Sequence, residues 1–309
     1  MSIEIRGLNK TYSSGLTAIE NISMDIESGE VFCLAGPNGA GKTTLIKQIL
    51  GLLAPTSGTI FFNDIDVIKH PEKLRGRISY MPQRPYALYH LTVNEAILYA
   101  GRLRGIAKKS AQTQSDLIIE RLGLSSHRNI LLRKLSGGLL QLTSMGIASI
   151  GDPELIVLDE PTTHLDPQKR QIALEWIAAL GQKNKTVIMV THMLTEAEPI
   201  VDKIAIIKKR LLKLGTPAEL RSSIGEFWKA KLSHSQNLSA PWPEECSIGK
   251  STPLKTELLF PRTQFAQVTT AIERLLETGA VEDVTLGPPG LDEVYIALNE
   301  RSESVAEVS

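Results

Sequence analysis

Four short runs of the chain, at 31–35, 155–158, 187–190 and 204–207, are apolar at every position. Runs of four or five residues, rich in β-branched side chains and separated by helical segments, predict strands buried on both faces of a largely parallel sheet. The first thirty residues are patterned differently. Ile3 and Ile5 flank Glu4, and Ile22, Met24 and Ile26 alternate with Ser23 and Asp25, which is the period of half-exposed antiparallel strands.

Between 84 and 150 helix signals replace strand signals. Thr92 and Glu95 form a capping-box pair ahead of Ala96, Ile97 and Leu98, and Ser110 opens a run through Leu122 that stops at Gly123. This predicts a helical insertion in the α/β body. Asp166 and Pro167 supply an N-cap and a first-turn proline for a helix ending near Gly181. From about 235 to 253 the chain collects Pro241, Pro243, Gly249, Pro253 and several serines, a linker composition. Beyond it the pattern predicts a strand at 258–260, a helix over 264–278 and an alternating strand over 281–286. Leu291, Val294, Tyr295 and Leu298 then share one helical face. The expected architecture is an α/β body with an antiparallel β subdomain over 1–221, its helical part at about 84–150, and a small C-terminal α+β domain over 222–309.

Composition narrows the class. With 309 residues, 42% hydrophobic and 22% charged, the chain is long enough for about two globular domains and too apolar for disorder. Its formal net charge is zero, so no overall basic excess points to nucleic acid. The charge is uneven, however: 27 basic and 21 acidic residues fall in 1–221, against 7 and 13 in 222–309. The long first part is the one suited to an anion. Cys33 and Cys246 are too few for a disulfide framework and the six histidines lack metal spacing, which fits a reducing compartment. No apolar stretch approaches the ~18 residues of a membrane span, so service to a membrane would run through a partner.

The chemistry begins at Gly36, where the string GPNGAGKTT matches G-x-x-x-x-G-K-[ST] directly after a predicted strand. Gly36, Gly39 and Gly41, with Pro37, Asn38 and Ala40 between them, permit a tight loop whose backbone N–H groups turn toward phosphate oxygens. Lys42 would neutralise the β and γ phosphates, Thr43 would bind Mg²⁺, and Thr44 completes the nucleotide-binding string. The run at 155–158 ends in two carboxylates. Asp159 can hold Mg²⁺ through water, and Glu160 can reach an attacking water as base. Together these two motifs specify a P-loop NTPase using ATP and Mg²⁺.

Further strings specify which. Gln83 follows Tyr80-Met81-Pro82, Leu135-Ser136-Gly137-Gly138 lies between the two motifs, EPTTHLD ends at Asp166, and His192 sits in VTHM. In this order they resemble the glutamine loop, LSGG signature, D-loop and switch histidine of the ATP-binding cassette (ABC) family, over nearly all of residues 1–220. The resemblance implies that Tyr12 stacks on adenine and that Gln83 touches Mg²⁺ or water and senses the helical insertion. It also implies that His192 bonds the γ-phosphate and that Asp166 organises a dimer interface. A second cassette, identical or unlike, would pair head to tail, with Ser136, Gly137 and Gly138 capping ATP held on its phosphate loop.

The sequence departs from the family after LSGG. The family usually continues with Gln, and then Gln-Arg two positions later; here the stretch runs Leu139, Leu140, Gln141, Leu142, while Ile147 replaces a common Arg and His164 occupies a position usually small. Neutral drift with Ser136 and both glycines retained is one reading, and pairing with an unlike cassette to give one weak site is the other. The segments 214–220 and 291–298 resemble the close of the cassettes of type-two ABC exporters. The resemblance therefore implies a cytoplasmic ATPase subunit with no nucleic-acid partner, peripheral on the inner face of the cell membrane. It would dock on an integral membrane permease through the insertion around 84–105. The alternatives are a weakly catalytic regulatory half of a heterodimer and a soluble non-transport ABC ATPase; the latter usually has two cassettes in one chain or a long coiled coil.

Overall fold

The computed structural model describes residues 2–83, 88–223, 227–235, 242–243 and 246–295. The strands are β1 (Ser2–Thr11), β2 (Thr17–Glu27), β3 (Val31–Ala35), β4 (Ser57–Phe62), β5 (Ile65–Asp66), β6 (Ile78–Met81) and β7 (Leu155–Asp159). They continue with β8 (Thr186–Thr191), β9 (Lys203–Lys208), β10 (Arg210–Gly215), β11 (Phe227–Ser233), β12 (Ser247–Thr252), β13 (Lys255–Pro261) and β14 (Asp283–Gly287). The α-helices are α1 (Lys42–Ile49), α2 (Val93–Leu103), α3 (Lys108–Arg121), α4 (Gly137–Ser149), α5 (Pro167–Gln182), α6 (Leu194–Ala197), α7 (Pro217–Ser222) and α8 (Phe265–Glu277). The chain divides into two units, residues 1–216 and 217–309. The division falls five residues before the expected 221/222 boundary, because β10 closes the first unit's sheet and α7 groups with the second.

In the first unit a six-stranded sheet runs β10-β9-β3-β8-β7-β6, parallel except for β10. Every residue of β3, β7 and β8 is buried, which is why these strands are uniformly apolar rather than alternating. Register sets the site: Ala35 is level with Thr191, and Asp159 with Val190. The carboxyl ends of β3, β8 and β7 therefore open side by side on one edge. A second sheet, β2-β1-β4-β5, is antiparallel. Its buried Ile3, Ile5, Leu8, Ile22 and Ile26 share a core with Phe32 of β3 and Leu45, Ile46 and Ile49 of α1.

The helical part contains α2, α3 and α4. The capping box forms: Thr92 Oγ1 accepts from the Glu95 N–H, and Glu95 Oε2 accepts from the Thr92 N–H at 2.8 Å. The helix read from Ser110 begins earlier, at Lys108 with Ala107 as cap, since two lysines are good helix formers and extend the first turn backward. Residues 84–87 of the expected insertion and docking segment lie outside the described residues.

The second unit is a four-stranded antiparallel sheet, β12-β13-β11-β14. Val268 and Ile272 of α8 pack on Ala230, Leu232, Leu258 and Phe260. Part of the expected linker is strand: β12 pairs with β13 across a turn at Pro253 and Leu254. Its serines and glycine carry no strand signal, and pairing with β13 supplies what propensity does not. In β11, Trp228, Ala230 and Leu232 alternate with Lys229 and Lys231, the period of a strand. Lys229, nearly buried, pairs with Glu257 at 3.0 Å and with Glu293. Leu291 and Val294 of the predicted terminal face are buried, and Leu298 lies outside the described residues.

Candidate nucleotide-binding site

The loop after β3 can be built only with glycine at its two ends. A Cβ on Gly36 would lie 2.4 Å from the Ile207 carbonyl oxygen. One on Gly41, whose φ is +94°, would lie 2.3 Å from the Ala18 carbonyl oxygen. Between them the Ala40 N–H donates to the Pro37 carbonyl at 3.1 Å, closing the turn. α1 starts at once, with Gly41 as N-cap, no side-chain cap and no acidic residue in its first turn. Its first-turn N–H groups therefore face the cleft with the positive end of the helix behind them. Lys42 Nζ donates to the carbonyls of Gly36 at 2.6 Å and Pro37 at 3.1 Å, which holds the ammonium across the loop. Burial lowers the Lys42 pKa, and Glu160 and Asp159 oppose that shift.

A cleft of about 260 Å³ opens over this loop, lined by residues 37–44 and by Tyr12, Leu16, Ala18, Gln83, Asp159 and Glu160. The Tyr12 hydroxyl lies 3.0 Å from Thr44 Oγ1, and the Lys10 ammonium sits 5.5 Å from the ring centroid. Tyr80 on β6 donates its hydroxyl to Asp159 Oδ2 at 3.2 Å. Burial raises the Asp159 pKa, the neighbouring Glu160 adding to it. Thr43, Gln83 and Asp159 all line this cleft with oxygen-bearing side chains, a donor set that fits a hard cation such as Mg²⁺. The uncapped α1 amides and Lys42 fit phosphate oxygens.

Glu160 follows Asp159 in a left-handed conformation, φ +54°, which is unusual for a residue with a side chain. Its N–H donates to the Val190 carbonyl at 2.9 Å, and its own carbonyl accepts from Gln141 Nε2 at 2.8 Å. Thr163 Oγ1 donates to Glu160 Oε2 at 2.9 Å, and His192 Nδ1 lies 2.9 and 3.0 Å from the two carboxylate oxygens. The Glu160 side chain is 9% exposed and that of His192 55%, so the pair links a buried carboxylate to an imidazole open to solvent.

The remaining predicted residues stand elsewhere. Ser136, Gly137, Gly138 and Asp166 do not line the cleft. Ser136 caps α4, its Oγ accepting from the Leu139 N–H at 3.5 Å. Asp166 caps α5, accepting from the Lys169 N–H at 2.9 Å and from Lys169 Nζ. The two segments are neighbours, since a Cβ on Gly138 would sit 3.0 Å from Lys169 Cδ and 3.3 Å from Leu165 Cδ2. Leu142 and Ile147, at departures from the family pattern, are core residues at 1% and 6% exposure. Tyr80, Thr163 and Gln141 are site neighbours that sequence reasoning missed. Of these only Gln141 carried a signal, as the lone polar residue in the run 139–142.

A glycine-built anion loop at the head of a helix, beside paired carboxylates at the end of a parallel strand, defines a P-loop nucleotide-binding protein. Residues 19–163 match the family model described as ABC transporter. The daunorubicin/doxorubicin resistance ATP-binding protein DrrA of Streptomyces peucetius is 33% identical, over 96% of this chain and 92% of DrrA. The Nod factor export ATP-binding protein I of Burkholderia lata is 34% identical, over 72% of this chain and 74% of that protein. A solved ATP-binding subunit of an ABC transporter superposes with a TM-score of 0.67 at 27% identity, covering 73% of this chain and 94% of that one. The chain belongs to the ABC transporter family, as an ATP-binding and ATP-hydrolysing cassette. Such ATP-binding subunits partner with membrane components; no helix among the described residues is itself long and apolar enough to cross a membrane.

Proposed function

We propose that this chain is the Mg²⁺-dependent ATPase subunit of an exporter, working on a separate membrane permease at the inner face of the cell membrane. The observation that carries this reading is the level ending of β3, β7 and β8, which brings the phosphate loop, Asp159 and Glu160 to one cleft, with His192 bonded to Glu160, while the Ser136 segment lines no part of it. Lys42 and the first-turn amides of α1 bind the β and γ phosphates, and the Tyr12 ring stacks on adenine. Thr43, Gln83 and Asp159 would hold Mg²⁺, which supplies positive charge against the phosphate oxygens. Glu160 takes the proton of the attacking water, and His192 orients that carboxylate and reaches toward the γ-phosphate. Ser136, Gly137 and Gly138 complete the site of a second cassette, whose own signature completes this one. Asp166 lies at that interface. The relatives' printed names, drug resistance for one and Nod factor export for the other, support the direction of transport.

The test is steady-state ATP hydrolysis and oligomeric mass for the wild type and Glu160→Gln. Turnover by the wild type, an about 10²–10³-fold loss in the variant and an ATP-held dimer only in the variant are expected. Nucleotide binding without turnover by the wild type, alone and with its permease, would make the chain a regulatory half instead.

A further inference from the structure

We propose that Gln141 is a positioning residue that holds Glu160 in its working geometry and ties it to this chain's own signature segment. The inference rests on the reading of Glu160 as the base. Glu160 occupies a left-handed conformation at φ +54°, which a residue with a side chain keeps only where its surroundings impose it. Rotation of its backbone would swing the carboxylate away from His192 and Thr163. Two short bonds to its main chain oppose that rotation, the Glu160 N–H to the Val190 carbonyl at 2.9 Å and Gln141 Nε2 to the Glu160 carbonyl at 2.8 Å, with a longer one from the Thr163 N–H at 3.4 Å. The first ties Glu160 to β8 and the second ties it to α4.

Gln141 is 8% exposed and lies in a run that is otherwise Leu139, Leu140 and Leu142. A buried amide among leucines is retained only if its hydrogen bond repays desolvation, and removing it would leave the Glu160 carbonyl with only the long 3.4 Å bond from the Thr163 N–H. The placement has a second consequence. Ser136, the cap of α4, lies five residues before Gln141, and in the head-to-tail pair of the proposed function it is the N-terminus of α4 that meets the opposite nucleotide. One short stretch of helix therefore touches two sites, the opposite nucleotide through Ser136 and this chain's own base through Gln141. Engagement of Ser136 thereby bears on the aim of Glu160, which gives the two sites of a pair a physical connection within each subunit.

The experiment uses the full-length chain, assayed both purified and in membranes containing its permease. Gln141→Met keeps the length of the side chain but cannot donate. It is expected to lower kcat about tenfold to a hundredfold, with KM and binding of a fluorescent ATP analogue unchanged within about twofold. In a Glu160→Gln background the same substitution is expected to cost nothing further, since its effect passes through Glu160. Equal losses in both backgrounds, or a rise in KM that tracks the fall in kcat, would overturn the proposal, as either marks a merely structural role. Gln141→Glu keeps the shape and covers the case in which Gln141→Met fails to fold. Its carboxylate, ionised at neutral pH, cannot donate to the Glu160 carbonyl, so turnover at about pH 7 should fall at least as far as in Gln141→Met. Turnover equal to that of the wild type overturns the proposal. A wild type indifferent to Glu160→Gln removes the reading of the base and this proposal with it, whereas sensitivity to Glu160→Gln with indifference to Gln141→Met removes this proposal alone.

Discussion

Two helices of the first unit begin at glycine-rich turns, and they begin very differently. α1 follows Gly41 with no side-chain cap, inside a cleft shared with Lys42, Asp159 and Glu160. α4 follows Ser136, which caps it, and its exposed first residues line no part of that cleft. Both ends offer backbone donors and a positive dipole. Only the first is surrounded by the cation, carboxylates and walls that nucleotide chemistry needs, so α1 heads a nearly complete site, and under the proposed function α4 supplies the missing part of another.

The sharpest way to break this comparison is Lys42→Ala. It should lower ATP affinity and turnover by roughly 10²–10³-fold, read by calorimetric titration and phosphate release, with α4 unaffected. An equal loss of binding from Ser136→Ala would erase the distinction between the two ends. Instead, Ser136→Ala in the isolated chain should leave ATP binding unchanged and remove about 1 kcal/mol of stability with the cap. In the paired state it should slow hydrolysis about tenfold.

Leu139→Gln sharpens the comparison on the α4 side. Leu139 is half-buried at the first turn of α4, and restoring the family's amide there should raise turnover about threefold if the altered signature limits the opposite site. An unchanged rate would mark Leu139 as drift. The neighbouring Leu142 offers no such test, because it is fully buried and a charged replacement would cost folding itself.

The smallest effect belongs to Arg77 and Glu154, whose bidentate pair at 2.6 and 2.8 Å ties the start of β6 to that of β7. The Arg77 guanidinium holds the Glu154 carboxyl below its ordinary value. A depressed carboxylate pKa stabilises the fold above the ordinary value of 4.5 and loses that contribution as pH falls through the lower folded value. Arg77→Leu should therefore cost less than about 1 kcal/mol at neutral pH, since both side chains are a third exposed. The difference should vanish in acid melts and shrink in high salt.

Legibility followed the distance over which each feature is encoded. The loop from Gly36 to Thr44, the buried runs at 31–35 and 155–158, the Thr92–Glu95 box and the Asp166 cap are each written in a few contiguous residues. Local backbone geometry and periodicity suffice for those. The order of the strings at Gln83, Ser136, Asp166 and His192 was enough to place the chain in its family. Tertiary structure alone decided what crosses long stretches of chain. Tyr80 meets Asp159 across 79 residues, and Gln141 meets Glu160 across 19. β12 exists because β13 pairs with it, and His192 reaches Glu160 because β7 and β8 end level. Such pairings depend on register and on which faces the core buries, and no short window of sequence specifies either.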